Sequence, residues 1–345
     1  MSGIVHAMRM LIMMLLMCAL FSCHHKDLLT IEDTPKARIR INVDWTDFMD
    51  KETPSGMSVI AYPVDGSKPF SALTNDISYA EMLLPAGMYN LMVYNQSPSE
   101  FGSITFSDMD NFYAASIHAV TVSTRWYKSR ADDERVVTQP EWFGVDRIEN
   151  VEVTQKMVDR TSEMKRLSGV DKKDYTTIIS NLYPQNIIST INVRVHIKGA
   201  HNLRSARASL TGLAEGWLLG KYCPTTETVT QLLEQWTLTL DSSDPTQGYI
   251  TAKITSFGLP DAHSYNPTEN LFTLQLLLVD GKTMLELPFH VGDKLKKRKD
   301  LGRDLWLELR LDETLPDVEP SGGSSSGFDA VVDDWGDEED VKVNI

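Results

Sequence analysis

The sequence has few cysteines, no excess of positive charge and no apolar run long enough to cross a membrane. It contains three cysteines, and Cys18 and Cys23 lie in or directly after the N-terminal apolar segment. Cys223 is therefore the only other cysteine, and a disulfide framework is not expected. The net charge of -15 and the isoelectric point near 5.0 oppose the counterion release that drives nucleic-acid binding. These features argue against disulfide-stapled and nucleic-acid-binding proteins.

The composition is that of a folded protein. Hydrophobic residues make up 42% and charged residues 23% of the 345 residues, which is close to the average of globular proteins. A chain of this length is expected to form about two domains.

The N-terminus has the pattern of an export signal. Arg9 precedes the apolar run Met10 to Leu20, and polar residues follow from Ser22 onward. This run is shorter than the roughly 20 apolar residues of a transmembrane helix, so residues 1–22 are predicted to be a cleaved signal peptide. The segment Leu20-Phe21-Ser22-Cys23 resembles the bacterial lipobox, which implies that the Cys23 thiol carries a diacylglycerol and its amine a third acyl chain. Three acyl chains would anchor the protein stably in a membrane, and residues 23–35 would form a membrane-proximal tether. The alternative is an ordinary signal peptide with an incidental cysteine.

The mature chain shows the period of two that is typical of half-buried antiparallel strands. Apolar residues alternate with polar ones from Arg38 to Trp45 and from Ile191 to Lys198, and leucines recur at every second position from Leu305 to Leu311. We therefore predict an all-β protein with two tandem antiparallel β-sandwich domains, at residues 36–155 and 189–315. The charged, interrupted segment 156–188 is interpreted as a linker or excursion, and helices are expected to be scarce.

The C-terminal segment 316–345 changes in composition. A Gly/Ser stretch at 321–327 predicts a flexible linker, and an acidic run follows. Val341, Val343 and Ile345 then alternate with polar residues, so the last residues are a candidate donor strand that could add to the edge of a sheet.

Motifs for catalysis or metal binding are incomplete. Gly323 to Gly327 matches the nucleophile-elbow pattern, but no histidine follows His290, and a linker is the preferred interpretation. The histidines lack HExxH spacing, and Cys223 lacks a CxxC partner. We therefore predict no catalytic residue, no metal site, no cofactor and no enzymatic activity.

Two tryptophans are a candidate glycan platform. Trp126 and Trp142 lie in aromatic pairs with Tyr127 and Phe143, and flat aromatic faces can stack on sugar rings. Core filling is the alternative and preferred interpretation, because aromatic side chains bury large areas.

A family resemblance starts at Leu84-Pro85-Ala86-Gly87-Met88-Tyr89 and continues to Tyr94-Asn95. This pattern, LPxGxY followed by YN, resembles the fimbrillin-like lipoproteins of Bacteroides-type bacteria, and the segment from Ile191 to Leu213 extends the similarity. The resemblance implies two transthyretin-like sandwiches in a protein that is lipid-anchored at the outer membrane or at the cell surface. It also implies fimbria assembly or adhesion, with other fimbrial-type subunits or surface proteins joined through exchanged strands.

The resemblance also distinguishes subunit types. It implies that stalk subunits lose their first strand to an arginine-specific protease. Here Arg38 and Arg40 lie within the first predicted strand, which favours an anchor, accessory or tip role. A surface glycan-binding lipoprotein is the alternative function.

Overall fold

The computed structural model describes residues 34–167, 169, 171–261, 266–297 and 303–321. The predicted signal peptide, the lipid-attachment candidate Cys23 and the candidate donor strand Val341, Val343 and Ile345 lie outside these residues. The described residues form 22 strands and one α-helix. Strands therefore dominate, as the period of two predicts.

The helix and the strands have the following bounds. The helix is α1 (Gln155–Arg166). The strands are β1 (Ala37–Val43), β2 (Met57–Pro63), β3 (Phe70–Thr74), β4 (Tyr79–Leu84), β5 (Gly87–Asn95), β6 (Ile104–Ser107), β7 (Ser116–Ala119), β8 (Val136–Val137), β9 (Gly144–Val153), β10 (Thr177–Leu182), β11 (Gln185–Asn186), β12 (Ser189–Lys198), β13 (Leu203–Ala214), β14 (Gly216–Leu218), β15 (Cys223–Pro224), β16 (Thr228–Leu233), β17 (Thr237–Leu240), β18 (Gln247–Ser256), β19 (Leu271–Leu278), β20 (Met284–His290), β21 (Lys296–Lys297) and β22 (Leu305–Thr314).

The N-terminal sandwich consists of a three-stranded sheet, β10-β1-β4, and a five-stranded sheet, β11-β9-β5-β2-β3. Burial alternates strictly along β1, because successive side chains of a strand point to opposite faces. Ile39 and Ile41 are fully buried and pack in a cluster with Leu91 and Val93 of β5. The alternation seen in the sequence is therefore the inner face of this sandwich.

The C-terminal sandwich repeats this plan. Its sheets are β17-β18-β12-β22-β21 and β20-β19-β13-β16-β8. In each sandwich the first strand lies inside its sheet, pairs in parallel with the last long strand and pairs antiparallel on its other side. The prediction of an all-β protein built from sandwiches of antiparallel strands is confirmed, with these two parallel pairs as an added feature.

The segment between β5 and β9 packs on the C-terminal sandwich. Strand β7 pairs with β14, and β8 pairs in parallel with β16. One buried cluster joins Tyr62, Tyr94 and Phe143 to Ile191 and Trp217. The two sandwiches therefore share a continuous core through this segment, which we call the bridging segment (residues 98–143).

The segment 156–188, interpreted from the sequence as a linker or excursion, contains regular structure. The Thr154 hydroxyl caps α1 by accepting a hydrogen bond from the Met157 amide, and β10 then pairs with β1 over five positions. Only Val158 and Thr161 of α1 are buried, so the helix has no wide apolar stripe to reveal it in the sequence. The linker interpretation was wrong for this part, because β10 completes the N-terminal sandwich.

Candidate functional site

The first strand is the candidate site, because the family resemblance implies that stalk subunits lose this strand and that anchor, accessory or tip subunits keep it. Strand β1 has a partner on each side: its Ala37 to Asn42 pair with β4, and its Ile39 to Val43 pair with β10. Ala37, Ile39 and Ile41 are each 0% exposed. Removal of β1 would therefore open both sheets' shared core and leave two strand edges unpaired.

The two arginines of β1 are held on the outer face of the sheet. Arg38 Nη1 lies 2.9 Å from Glu81 Oε2, and Arg40 Nη2 lies 2.7 Å from Glu81 Oε1. The Arg40 guanidinium also lies 4.1 Å from the centre of the Tyr79 ring, within the range of a cation–π contact. The arginine side chains are only 19% and 24% exposed, so neither projects freely into solvent.

Glu81 carries the charge that fixes both arginines. Partial burial disfavours its charged form, but hydrogen bonds from Arg40 and Arg38 outweigh this and lower the pKa of Glu81. The carboxylate therefore stays ionised to lower pH than usual. The sequence analysis did not single out Glu81; the signal was its polar position between the apolar residues Ala80 and Met82, but its partners follow only from the β1–β4 register.

Helix α1 supplies a hydrogen-bond acceptor to β1 at Arg38, one residue before the pairing of β1 with β10 starts at Ile39. The Arg38 amide donates to Thr161 Oγ1 at 3.0 Å, and the Thr161 hydroxyl donates to the Met157 carbonyl. Thr161 is 1% exposed, so a main-chain donor that would otherwise lack a partner is satisfied inside the protein.

The candidate tryptophans contact different groups. Trp126 Nε1 donates to Glu234 Oε1 at 2.6 Å, and the Arg207 guanidinium lies 4.4 Å from its ring. Trp142 packs against both buried clusters, with Lys51 Nζ 5.6 Å from its ring. Both are half-buried. The structure shows no contact between them in the described residues, and the glycan platform stays a prediction.

A Ser-His-Glu arrangement joins the bridging segment to the second sandwich. Ser116 Oγ lies 3.0 Å from His118 Nε2, and His118 Nδ1 lies 3.6 Å from Glu215 Oε1. Ser116 is only 4% exposed, and both carboxylate oxygens of Glu215 accept hydrogen bonds from Arg135. A catalytic serine must be accessible to substrate, and its histidine must be oriented by a third group. Here the serine is buried and the carboxylate is bound to Arg135, so we assign this cluster the role of holding β7 and β8 against β14 and β16.

The described residues contain no group of three or more His, Cys, Asp or Glu side chains that could hold a metal ion. No helix in the described part of the chain combines the length and the hydrophobicity needed to cross a bilayer.

Comparison with known families gives one match over residues 22–234, to a domain of unknown function, DUF5119. This match covers more than half of the chain. The chain belongs to the DUF5119 family. The matched region of this DUF5119 protein contains the N-terminal sandwich, the bridging segment and the strands β14 and β16 with which that segment pairs.

Among curated proteins, the DUF5119 chain is similar to the Bacteroides ovatus (strain ATCC 8483) protein named "Putative fimbrium anchoring subunit Fim4B". The two are 23% identical over 202 residues, which are 59% of this chain and 53% of the relative. The chain thus matches about half the length of this relative.

One solved structure shows the same fold, and a second is less similar. A Bacteroides ovatus ATCC 8483 protein described as "a putative adhesin" superposes with a TM-score of 0.52 at 15% identity, covering 86% of this chain and 99% of the other. The fimbrial anchor protein Mfa2 of Porphyromonas gingivalis has a TM-score of 0.43 at 10% identity and covers 80% of this chain and 90% of its own. The predicted resemblance to fimbrial-type proteins of this bacterial group is confirmed by the curated relative, and the adhesin from Bacteroides ovatus shows the shared fold.

Proposed function

We propose that this DUF5119 protein is a lipid-anchored outer-membrane or cell-surface protein that serves as an anchor or accessory subunit in fimbria assembly or adhesion. Support comes from the relative named as a fimbrium anchoring subunit, from the adhesin-like fold and from the lipobox-like sequence that ends at Cys23. Association with other subunits would take place through main-chain pairing of strands, as in β-augmentation.

The observation that carries the anchor or accessory role is the closure of β1. A protease that cuts after an arginine must bind several residues around it in an extended, accessible form. Arg38 and Arg40 lie instead in a strand that is paired on both sides, with their side chains bound to Glu81. A first strand that is protected from cleavage in this way fits a subunit that ends or supports a polymer rather than one whose opened groove accepts a strand from a neighbouring subunit.

Lipid anchoring is tested with a pair of cysteine variants. Cys23→Ala should abolish incorporation of labelled palmitate and release the protein from the membrane fraction, whereas Cys18→Ala, which changes a cysteine inside the signal, should leave both unchanged. Surface proteolysis of intact cells then shows which face of the outer membrane carries the protein. Unchanged labelling of Cys23→Ala would refute the anchor.

Strand donation is tested at the C-terminus. Replacing Val341, Val343 and Ile345 together by aspartate should leave a folded, lipidated protein that no longer co-purifies with its fimbrial partners. The matched control replaces the intervening Lys342 and Asn344 by alanine and should retain co-purification, because alternate side chains of a strand point to opposite sides. Equal co-purification of both variants would contradict the donor role.

A further inference from the structure

The outer face of the C-terminal sandwich carries a row of cations and aromatic rings. The buried residues of β12, β18 and β22 face the core, and the alternate residues face solvent. We call this surface the basic face. It consists of Arg194, His196, Lys198, Tyr249, Lys253, Trp306, Glu308, Arg310 and Asp312.

The cross-strand register brings these side chains together. His196 lies opposite Tyr249 on one neighbour and Arg310 on the other. The Arg194 guanidinium lies 4.9 Å from the Tyr249 ring and 5.5 Å from the Trp306 ring. A shallow groove of about 300 Å³ is lined by His196, Lys198, Tyr249 and Arg310 among others. The face is thus an ordered surface with a depression at its Lys198 end.

The charge of the basic face is opposite to that of the chain. Four permanent cations lie on this face beside two carboxylates, and Asp241 adds a third carboxylate at the groove, in a protein of net charge -15. One of those carboxylates is engaged within the face, since Glu308 Oε1 lies 2.8 Å from His196 Nε2. Opposite charges attract over about 8 Å at physiological ionic strength, so the surface favours an anionic occupant.

The chain itself contains such an occupant. Residues 333–340 hold six acidic residues and follow the Gly/Ser linker. Ser321, the last described residue, donates its amide to the Val279 carbonyl, and the Val279 amide donates to the Asn202 carbonyl. Asn202 follows Lys198 by only four residues, so the tail leaves the sandwich at the Lys198 end of the basic face.

The linker is long enough for the tail to return. Asp333 lies twelve positions after Ser321, and a Gly/Ser-rich chain of that length that behaves as a random coil has a root-mean-square span of about 19 Å. The two sheets of a sandwich are about 10 Å apart. The acidic run can therefore cross from the Val279 side to the outer face of β12.

We propose that the basic face is the docking surface of the acidic tail, residues 333–340, of the same molecule. Tethering gives the tail an effective concentration in the millimolar range, which favours the molecule's own tail over that of a second copy. The docking adds to the proposed function, because it would hold the strand at Val341 to Ile345 against its own domain until a partner subunit takes it up.

The test measures binding of a fluorescein-labelled peptide of residues 328–345 to the chain ending at residue 327, by fluorescence anisotropy without any partner subunit. We expect binding that is lost at high salt, and about tenfold weaker binding to the full chain, whose own tail occupies the face. Lys198→Glu with Arg310→Glu in the shortened chain should weaken binding by about tenfold or more. Lys128→Glu with Lys221→Glu, which reverses two exposed cations elsewhere, should not. If the double reversal disturbs folding, as judged by near-ultraviolet circular dichroism, Arg310→Gln replaces it.

The peptide variants separate this inference from strand donation. Neutralising its acids with asparagine and glutamine should abolish binding, whereas aspartate at 341, 343 and 345 should preserve it. The opposite pattern would overturn the docking and leave the donor role standing. Equal binding of the peptide to full and shortened chains would also overturn it, as would dimers of the full chain that disappear with the tail. Equal binding of polygalacturonate to both chains would show an acidic glycan as the occupant instead.

Discussion

Replacing Thr161 by valine tests how β1 is closed. Valine keeps the volume of threonine but lacks the hydroxyl, so the Arg38 amide, which donates to Thr161 Oγ1 at 3.0 Å, would lose its acceptor in a site that is 1% exposed. A buried donor without a partner costs about 1–3 kcal/mol. We expect a loss of about 2 kcal/mol in the free energy of unfolding, and a fall of roughly 4–8 °C in the melting temperature for a domain of 150–250 residues.

The assay combines urea unfolding with native-state hydrogen exchange at the Arg38 amide. Thr161→Val should lose protection at that amide, whereas Thr161→Ser keeps the hydroxyl and should retain it, at a cost of about 1 kcal/mol for the deleted methyl group. A stability of Thr161→Val within about 0.5 kcal/mol of the natural protein, the usual range of surface substitutions, with unchanged exchange, would show that this bond does not close the strand.

Three further variants probe the surrounding structure. Because the folded pKa of Glu81 lies below its ordinary value of 4.5, its stabilising contribution is present above that value and is lost as pH falls through the folded pKa. Unfolding measured between neutral and acidic pH should therefore show a smaller acid-induced loss in Glu81→Gln. Gly144→Ala would place a Cβ 2.7 Å from the Phe48 ring and should cost about 1–3 kcal/mol in urea unfolding; unchanged stability would mean that the ring moves freely. Arg135→Ala leaves the Glu215 carboxylate, which is 12% exposed, without its main partner. It should cost about 2 kcal/mol, less than a fully buried pair, and should speed limited proteolysis in the bridging segment, which a merely superficial ion pair would not do.

The long strands were predictable because each has one buried face and one solvent-exposed face. Burial alternates along the whole of β1, from Ile191 to the end of β12, and from Leu305 to Asp312 in β22, and the sequence carries this period directly. The sandwiches follow from it, and so does the position of Arg38 and Arg40 inside a strand.

The bridging segment was not predictable in the same way. Strand β8 has two residues, and β7 has four, which is too short for a period to emerge. Their pairing partners, β14 and β16, lie about a hundred residues later in the chain, and no local pattern encodes such contacts. Thr161 was missed for a related reason, since its role depends on an amide in a distant strand.

The parallel pairing of first and last strands has a consequence for synthesis. A nascent chain that has reached residue 155 already contains β1 to β9, yet β1 still lacks β10, and the bridging segment lacks β14 and β16. Contacts of such high sequence separation slow folding, and open edges invite aggregation meanwhile. Expression of an isolated N-terminal half that ends before β10 should therefore yield little soluble product.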